Sequence, residues 1–246
     1  MVEKTDRTWP LPKTPWVMRM TWSELLFAHW ALDPDVVRRW LPEGLQLDTR
    51  EGKAWVGVVP FLMSKVTPRL CPPLPRMSRF LELNLRTYVS IDGKPGVWFL
   101  SLDAESPFAV RAARATFNLP YKDAVMSMQR STHGEIEYES RRTHRGEPTA
   151  QYAACYSASG ETFYATPGTL EHWLTARYCL YSVNRHGKIY RGEIDHPPWQ
   201  LAEASYRETR NTMGCPFGFE FEGDPHVLVA KPVEARAWAL SRCEVE

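Results

Sequence analysis

No apolar run in this sequence approaches the ~18–20 residues that a membrane-spanning helix requires, so no membrane partner is expected. There is no excess of charge either. Lys and Arg number 30 against 29 Asp and Glu, for a formal net charge of +1. Nucleic-acid binding calls for a concentrated basic surface, and no nucleic-acid partner is expected. A local basic cluster, Arg141, Arg142 and Arg145, reads as a solvated hairpin end. No Gly-x-Ser-x-Gly, phosphate-binding loop or Gly-x-Gly-x-x-Gly occurs. Serine-hydrolase, nucleotide and dinucleotide readings are unsupported, and no cofactor is expected.

The 5 cysteines (Cys71, Cys155, Cys179, Cys215 and Cys243) are odd in number and include no Cys-x-x-Cys pair. That speaks against a zinc site or a disulfide framework and fits reduced thiols in a cytoplasmic protein. The 7 His residues show no ligand spacing. Glu171 and His172 are neighbours on a predicted helix and point about 100° apart, so no metal site is expected. Met1 to Pro15 is polar and Pro-rich and lacks the apolar region of a signal peptide.

Aromatic residues and proline are abundant: 10 each of Trp, Tyr and Phe, and 20 Pro. Both suit short strands and shaped loops better than a helix bundle. No repeat or long linker divides the chain, which reads as a single domain over 1–246 with polar tails. The Pro-rich stretch 68–78, with Pro68, Pro72, Pro73 and Pro75, reads as a lid or crossover.

Helix starts are announced by caps. Thr21 and Glu24 fit a capping box before Leu25, Leu26, Phe27 and Trp30. Asp33-Pro34, Ser106-Pro107 and Thr166-Pro167 repeat an N-cap-plus-Pro device, predicting helices to about Trp40, to about Phe117, and through Leu170, Trp173 and Leu174. Strands are predicted at 53–60, 82–90, 96–103, 124–130, 134–142, 150–157, 177–185, 187–194 and 226–231. Asp92-Gly93, His133-Gly134 and His186-Gly187 mark tight hairpin turns. So many strands imply a mainly antiparallel sheet that curls to protect its edges.

The segment 82–90 carries the chemistry. Period two puts Glu82, Asn84, Arg86 and Tyr88 on one face and Leu83, Leu85, Thr87 and Val89 on the other. The apolar face must pack, and a helix is the expected partner. The polar face lies either in water or inside a wide barrel. The following strand sets Trp98, Leu100 and Leu102 against Val97, Phe99, Ser101 and Asp103, and its Trp98-Phe99-Leu100 run marks it as central. Lys122, after Leu119-Pro120-Tyr121, becomes a nucleophile only if burial or a neighbouring cation lowers its pKa. His196 precedes Pro197-Pro198-Trp199, a rigid stretch that forms either a cavity wall or a packed loop.

Several of these motifs belong together. Trp16-Val-Met-Arg-Met-Thr-Trp22, Leu41-Pro-Glu-Gly-Leu45, Ala54-Trp-Val-Gly-Val-Val-Pro-Phe61, Glu82-Leu-Asn-Leu-Arg-Thr-Tyr-Val89, Trp98-Phe-Leu-Ser-Leu-Asp103, Leu119-Pro-Tyr121, Leu170-Glu-His-Trp-Leu-Thr-Ala-Arg-Tyr178 and His196-Pro-Pro-Trp199 resemble the bacterial YqjF-like family, domain of unknown function 2071, over about residues 9–232. A more remote resemblance is to acetoacetate decarboxylase. It implies an α+β, mainly antiparallel fold: a large curved sheet closing into a barrel around a cavity, with a few peripheral helices. In those decarboxylases a lysine after a proline forms a Schiff base and a neighbouring lysine depresses its pKa. Tyr121 and Lys122 occupy the matching positions here. Tyr at the Schiff-base position speaks against acetoacetate decarboxylation, while Glu82 matches the family's early strand glutamate.

Three functions follow. The first is a barrel that binds a small organic acid or carbonyl compound, with Arg86 on the acid group and Glu82, Asn84, Tyr88, Tyr121, Ser101, Asp103 and His196 as further contacts. The second is an enzyme with altered, non-decarboxylating chemistry, using Tyr121 as general acid or base and Lys122 as helper or amine. The third is a non-catalytic interaction protein. A homo-oligomer is compatible with all three.

Overall fold

A computed structural model describes residues 6–71 and 78–244. Pro72, Pro73 and Pro75 of the Pro-rich stretch lie outside the described residues. The elements are β1 (Met18–Ser23), β2 (Leu25–Leu32), α1 (Pro34–Arg38), β3 (Gln46–Leu47), β4 (Thr49–Arg50), β5 (Lys53–Pro68), β6 (Phe80–Ile91), β7 (Lys94–Ala104) and α2 (Pro107–Phe117). They continue with β8 (Tyr121–Arg130), β9 (Ile136–Arg142), β10 (Gln151–Ala158), β11 (Phe163–Tyr164), α3 (Leu170–Thr175), β12 (Cys179–Val183), β13 (Ile189–Asp195), β14 (Gln200–Asn211), β15 (His226–Ala230), β16 (Val233–Ala237) and β17 (Ser241–Arg242). No helix among the described residues is long and apolar enough to cross a membrane.

The strand pairings close into two circuits. One runs β1, β5, β6, β7, β12, β13, β16 and back to β1. The other runs β2, β5, β6, β7, β8, β9, β10, β14, β15 and back to β2. The circuits share β5, β6 and β7, and most pairs are antiparallel, with β7 parallel to β8 and β12. Closure removes the free edges that so many strands would otherwise expose.

The shared strands therefore have no wet face. Leu83 and Leu85 pack with Val56, Val58, Met126, Tyr138, Tyr152 and Tyr156 in the second circuit. The partner of this apolar face is thus a wall of strands rather than the expected helix. Val59, Phe61, Leu102 and Tyr121 belong to a separate core in the first circuit, with Phe27 and Trp199.

Local chemistry explains most elements. Asp92 and Gly93 both take positive φ, 52° and 68°, as a type I′ turn needs between β6 and β7. The turns at His133-Gly134 and His186-Gly187 likewise join β8 to β9 and β12 to β13. Ser106 caps α2 by accepting from the Ala109 amide, and Asp33 caps α1. α3 starts later than expected, at Leu170, because Thr169 rather than Thr166 accepts from the His172 amide.

The helix expected after Thr21 is instead two strands, β1 and β2. Glu24 sits between them at φ 53°, a kink rather than the third turn position of a capping box. Leu25 to Trp30 is buried throughout, so its apolar run has no period to separate strand from helix. The exposed reading of Arg142 is also corrected. It is buried and its Nε donates to both Asp103 oxygens, at 2.9 and 3.1 Å.

Candidate functional site

A cavity of about 280 Å³ lies inside the first circuit. Its wall is made by inward residues of β1, β2, β5, β6 and β7, and α2 covers one side with Ala109, Ala112 and Ala113. The kink at Glu24 keeps both halves of this wall inward: Met18, Met20 and Trp22 before it, Leu25 and Phe27 after it. The His196–Trp199 stretch contributes both of those rings, and His196 stacks on Tyr178 at 4.8 Å.

β6 supplies the polar stripe through Glu82, Asn84 and Arg86, which all line the cavity. Glu82 is 2% exposed and faces Phe61 and Ala104 on the neighbouring strands. Burial pushes its carboxyl up to about 8, against the pull of a hydrogen bond from the Tyr121 hydroxyl to Oε2 at 2.9 Å. The acid is therefore protonated at neutral pH. Burial also raises the Tyr121 phenol well above its ordinary range. The two form a neutral, hydrogen-bonded pair.

Arg86 is different. Its Nη2 donates to the Tyr88 hydroxyl at 3.2 Å, and its guanidinium lies over Phe27 at 5.1 Å. Its Nε is buried without a partner, and no carboxylate among the described residues lies within ion-pair distance. Nearby Arg177 is satisfied by Asp48 at 2.5 Å and by the Trp173 carbonyl at 2.7 Å. Trp22 Nε1 and Asn84 Oδ1 are likewise buried on this wall without protein partners.

Behind Arg86 is a support that sequence reading missed. His29 is fully buried and its Nε2 lies 2.6 Å from the Tyr88 hydroxyl. Burial, then the charge of Arg86, hold its pKa well below the ordinary histidine value. Arg86 and His29 thus meet at the Tyr88 hydroxyl, which accepts from Arg86 Nη2 and shares a hydrogen bond with His29 Nε2. Gly57 makes room for the ring: a Cβ there would lie 2.8 Å from His29 Cδ2 and Nε2.

The predicted residues divide by face. Glu82, Asn84, Arg86, Tyr121 and His196 line the cavity, and Tyr88 lies behind it against His29. Ser101 and Asp103 do not line it. The β6–β7 register passes from Leu85↔Ser101 to Arg86↔Phe99, so β7 bulges at Leu100. The bulge inverts the faces beyond it, turning Leu102 inward and Ser101 and Asp103 to the other side, where both bind Arg142. Lys122 is also displaced. Tyr121 and Lys122 are successive residues of β8 and face opposite ways. Lys122 pairs with Glu147 and lines a separate, more open pocket outside the cavity. Missed cavity residues include Trp22, Phe27, Thr175 and Arg177. The signal for Arg177 was a cation between Ala176 and Tyr178 in the short link from α3 to β12.

The wall can thus hold an anion at Arg86 and exchange hydrogen bonds at Glu82. No lysine lines it among the described residues, and burial pushes the Cys179 thiol up to about 12, so neither amine nor thiolate is presented. No group of described residues has the makings of a metal site.

A closed, mainly antiparallel double circuit around an internal polar stripe is the acetoacetate decarboxylase-like fold. An acetoacetate decarboxylase-like enzyme from Sphingomonas wittichii RW1 superposes with a TM-score of 0.64 at 12% identity, covering 100% of both chains. The acetoacetate decarboxylase of Legionella pneumophila gives 0.61 at 12% identity, over 96% of this chain and 93% of that one. The enduracididine biosynthesis enzyme MppR, solved with the condensation product of pyruvate and imidazole 4-carboxaldehyde, gives 0.64 at 12% identity over 93% and 90%. Within this fold the chain belongs to the DUF2071 family of uncharacterized conserved proteins, whose profile matches residues 19–234. It is 39% identical over 233 residues to the uncharacterized protein YqjF of Bacillus subtilis (strain 168), covering 94% of this chain and 95% of that one.

Proposed function

We propose that this protein binds a small organic acid or carbonyl compound in the first circuit, with Arg86 as the contact for the acid group. The observation that carries this reading is Arg86 itself, a guanidinium in a largely apolar cavity with no carboxylate partner among the described residues. A carboxylate ligand would complete it by charge-assisted hydrogen bonds, which are stronger in a low-dielectric site than in water. Pyruvate in the distantly similar MppR supports a carbonyl acid as the class.

Isothermal titration with pyruvate, acetoacetate and longer oxo acids tests the reading. The acids should bind, and Arg86→Leu should weaken them at least tenfold, since hydrogen bonds to charged groups contribute roughly 1.5–3 kcal/mol. Equal affinity in the variant would sink the proposal.

A second reading rests on the Glu82–Tyr121 pair, a neutral acid and a phenol 2.9 Å apart on the cavity wall. Two such donors could move or share a proton with a bound carbonyl compound, which would make the protein a non-decarboxylating enzyme. Solvent-deuterium exchange into a bound oxo acid, followed by NMR, tests it. Exchange that is no faster than without protein, or that persists in Tyr121→Phe and Glu82→Leu, would remove it.

A further inference from the structure

Three of the cavity's polar groups are spread along one strand rather than gathered in one place. Arg86 and Glu82 are four residues apart on the inward face of β6, about 13 Å at ~3.3 Å per residue. Their cross-strand neighbours differ in kind. Arg86 lies between Gly57 and Phe99, Asn84 between Val59 and Leu102, and Glu82 between Phe61 and Ala104. A charged end is thus separated from a neutral polar end by Asn84 and the apolar side chains of Val59 and Leu102 beside it.

Size points the same way. An apolar cavity of ~150 Å³ holds one benzene ring. A cavity of about 280 Å³ has room for a ring together with a short chain. A three-carbon acid at Arg86 would leave Phe61 and Leu102 uncovered. At the far end, Glu82 Oε2 receives the Tyr121 hydroxyl, while Oε1 takes no hydrogen bond from any described residue.

We propose that the ligand is an elongated amphipathic acid. Its carboxylate sits at Arg86, its aryl-sized apolar body lies along Phe61 and Phe99, and a hydroxyl or carbonyl oxygen at its other end is hydrogen-bonded by Glu82 Oε1. This rests on the anion-binding reading above and adds length, apolarity and a second polar end to it. The protonated state of Glu82 suits the role, because a neutral carboxyl can donate to an oxygen and does not repel the acid. Tyr121 fixes the carboxyl's orientation by occupying its other oxygen.

Titration calorimetry on the full chain with three probes decides the matter: propanoate, 3-phenylpropanoate and 3-(4-hydroxyphenyl)propanoate. Affinity should rise at least tenfold on adding the ring and severalfold more on adding the hydroxyl. Glu82→Leu should erase only the hydroxyl's gain, and Glu82→Gln, which keeps a donor, should restore it. Arg86→Leu should weaken all three. If Glu82→Leu does not fold, the wild-type series alone still decides. Propanoate binding as tightly as the aryl acids, or a hydroxyl without effect, overturns the elongated ligand while leaving acid binding at Arg86 intact. No binding by any probe, together with no response of short oxo acids to Arg86→Leu, overturns both.

Discussion

The Glu82 carboxyl is out of water, and its hydrogen-bond donor among the described residues is the Tyr121 hydroxyl. Its folded pKa of about 8 lies above its ordinary 4.5, so the folded protein holds this proton more tightly than the unfolded chain. That contribution to stability is complete below the unfolded value and is lost as pH rises through the folded one. The loss is at most ~1.4 kcal/mol per pH unit over that window. Urea denaturation from about pH 5 to about pH 8 should show the wild type weakening while Glu82→Gln weakens less. Parallel profiles would place the titrating proton on another group. At this scale the sequence was partly legible. That Glu82, Asn84 and Arg86 share one face follows from strand period alone, but that this face is turned inward does not. The separation of Tyr121 from Lys122 does not either, because the strand expected from residue 124 begins at Tyr121 and so puts these two successive residues on opposite faces. The burial that neutralises Glu82 depends on β1, β5 and α2, which no local pattern around residue 82 reveals.

Among the elements, the close contact of β2 with β5 holds the charged end of the cavity in place. Gly57 on β5 lies opposite His29 on β2, and the absent side chain is where the imidazole rests. Gly57→Ala would push the ring away from Tyr88 and free the Tyr88–Arg86 contact. Overpacking of this kind costs roughly 1–3 kcal/mol. A thermal melt should show that loss, and His29→Ala in the same chain should recover part of it. Full stability in Gly57→Ala would mean that the ring can move without consequence. Element boundaries reveal why reading succeeded in some places and failed in others. Pro-containing caps and Gly turns are local signals, and they marked α1, α2 and three hairpins correctly. β14 was missed because Gln200–Asn211 is polar over most of its length and exposes much of it. The β7 bulge was invisible because a one-residue insertion leaves no compositional trace, yet it reverses Ser101 and Asp103.

For the whole molecule, the two circuits separate chemistry from bulk stability. The first holds the cavity, and the second is filled by Tyr138, Tyr152, Tyr156 and their aliphatic neighbours. With no lysine on the cavity wall among the described residues, amine catalysis has no local nucleophile. Borohydride reduction in the presence of a β-keto acid should therefore leave the intact mass unchanged. A stable adduct on Lys122 would show that β8 can turn it inward, away from Glu147. The barrel class was legible from strand number, turns and resemblance. The doubling was not, because which strands are shared depends on pairings between residues far apart in the chain. One consequence concerns how such a protein can change. On β6, positions 82, 84 and 86 face one chamber and positions 83 and 85 the other. Selection, or a designer, can rewrite the cavity lining at the even positions without disturbing the tyrosine-rich core, and can harden that core at the odd positions without reshaping the cavity.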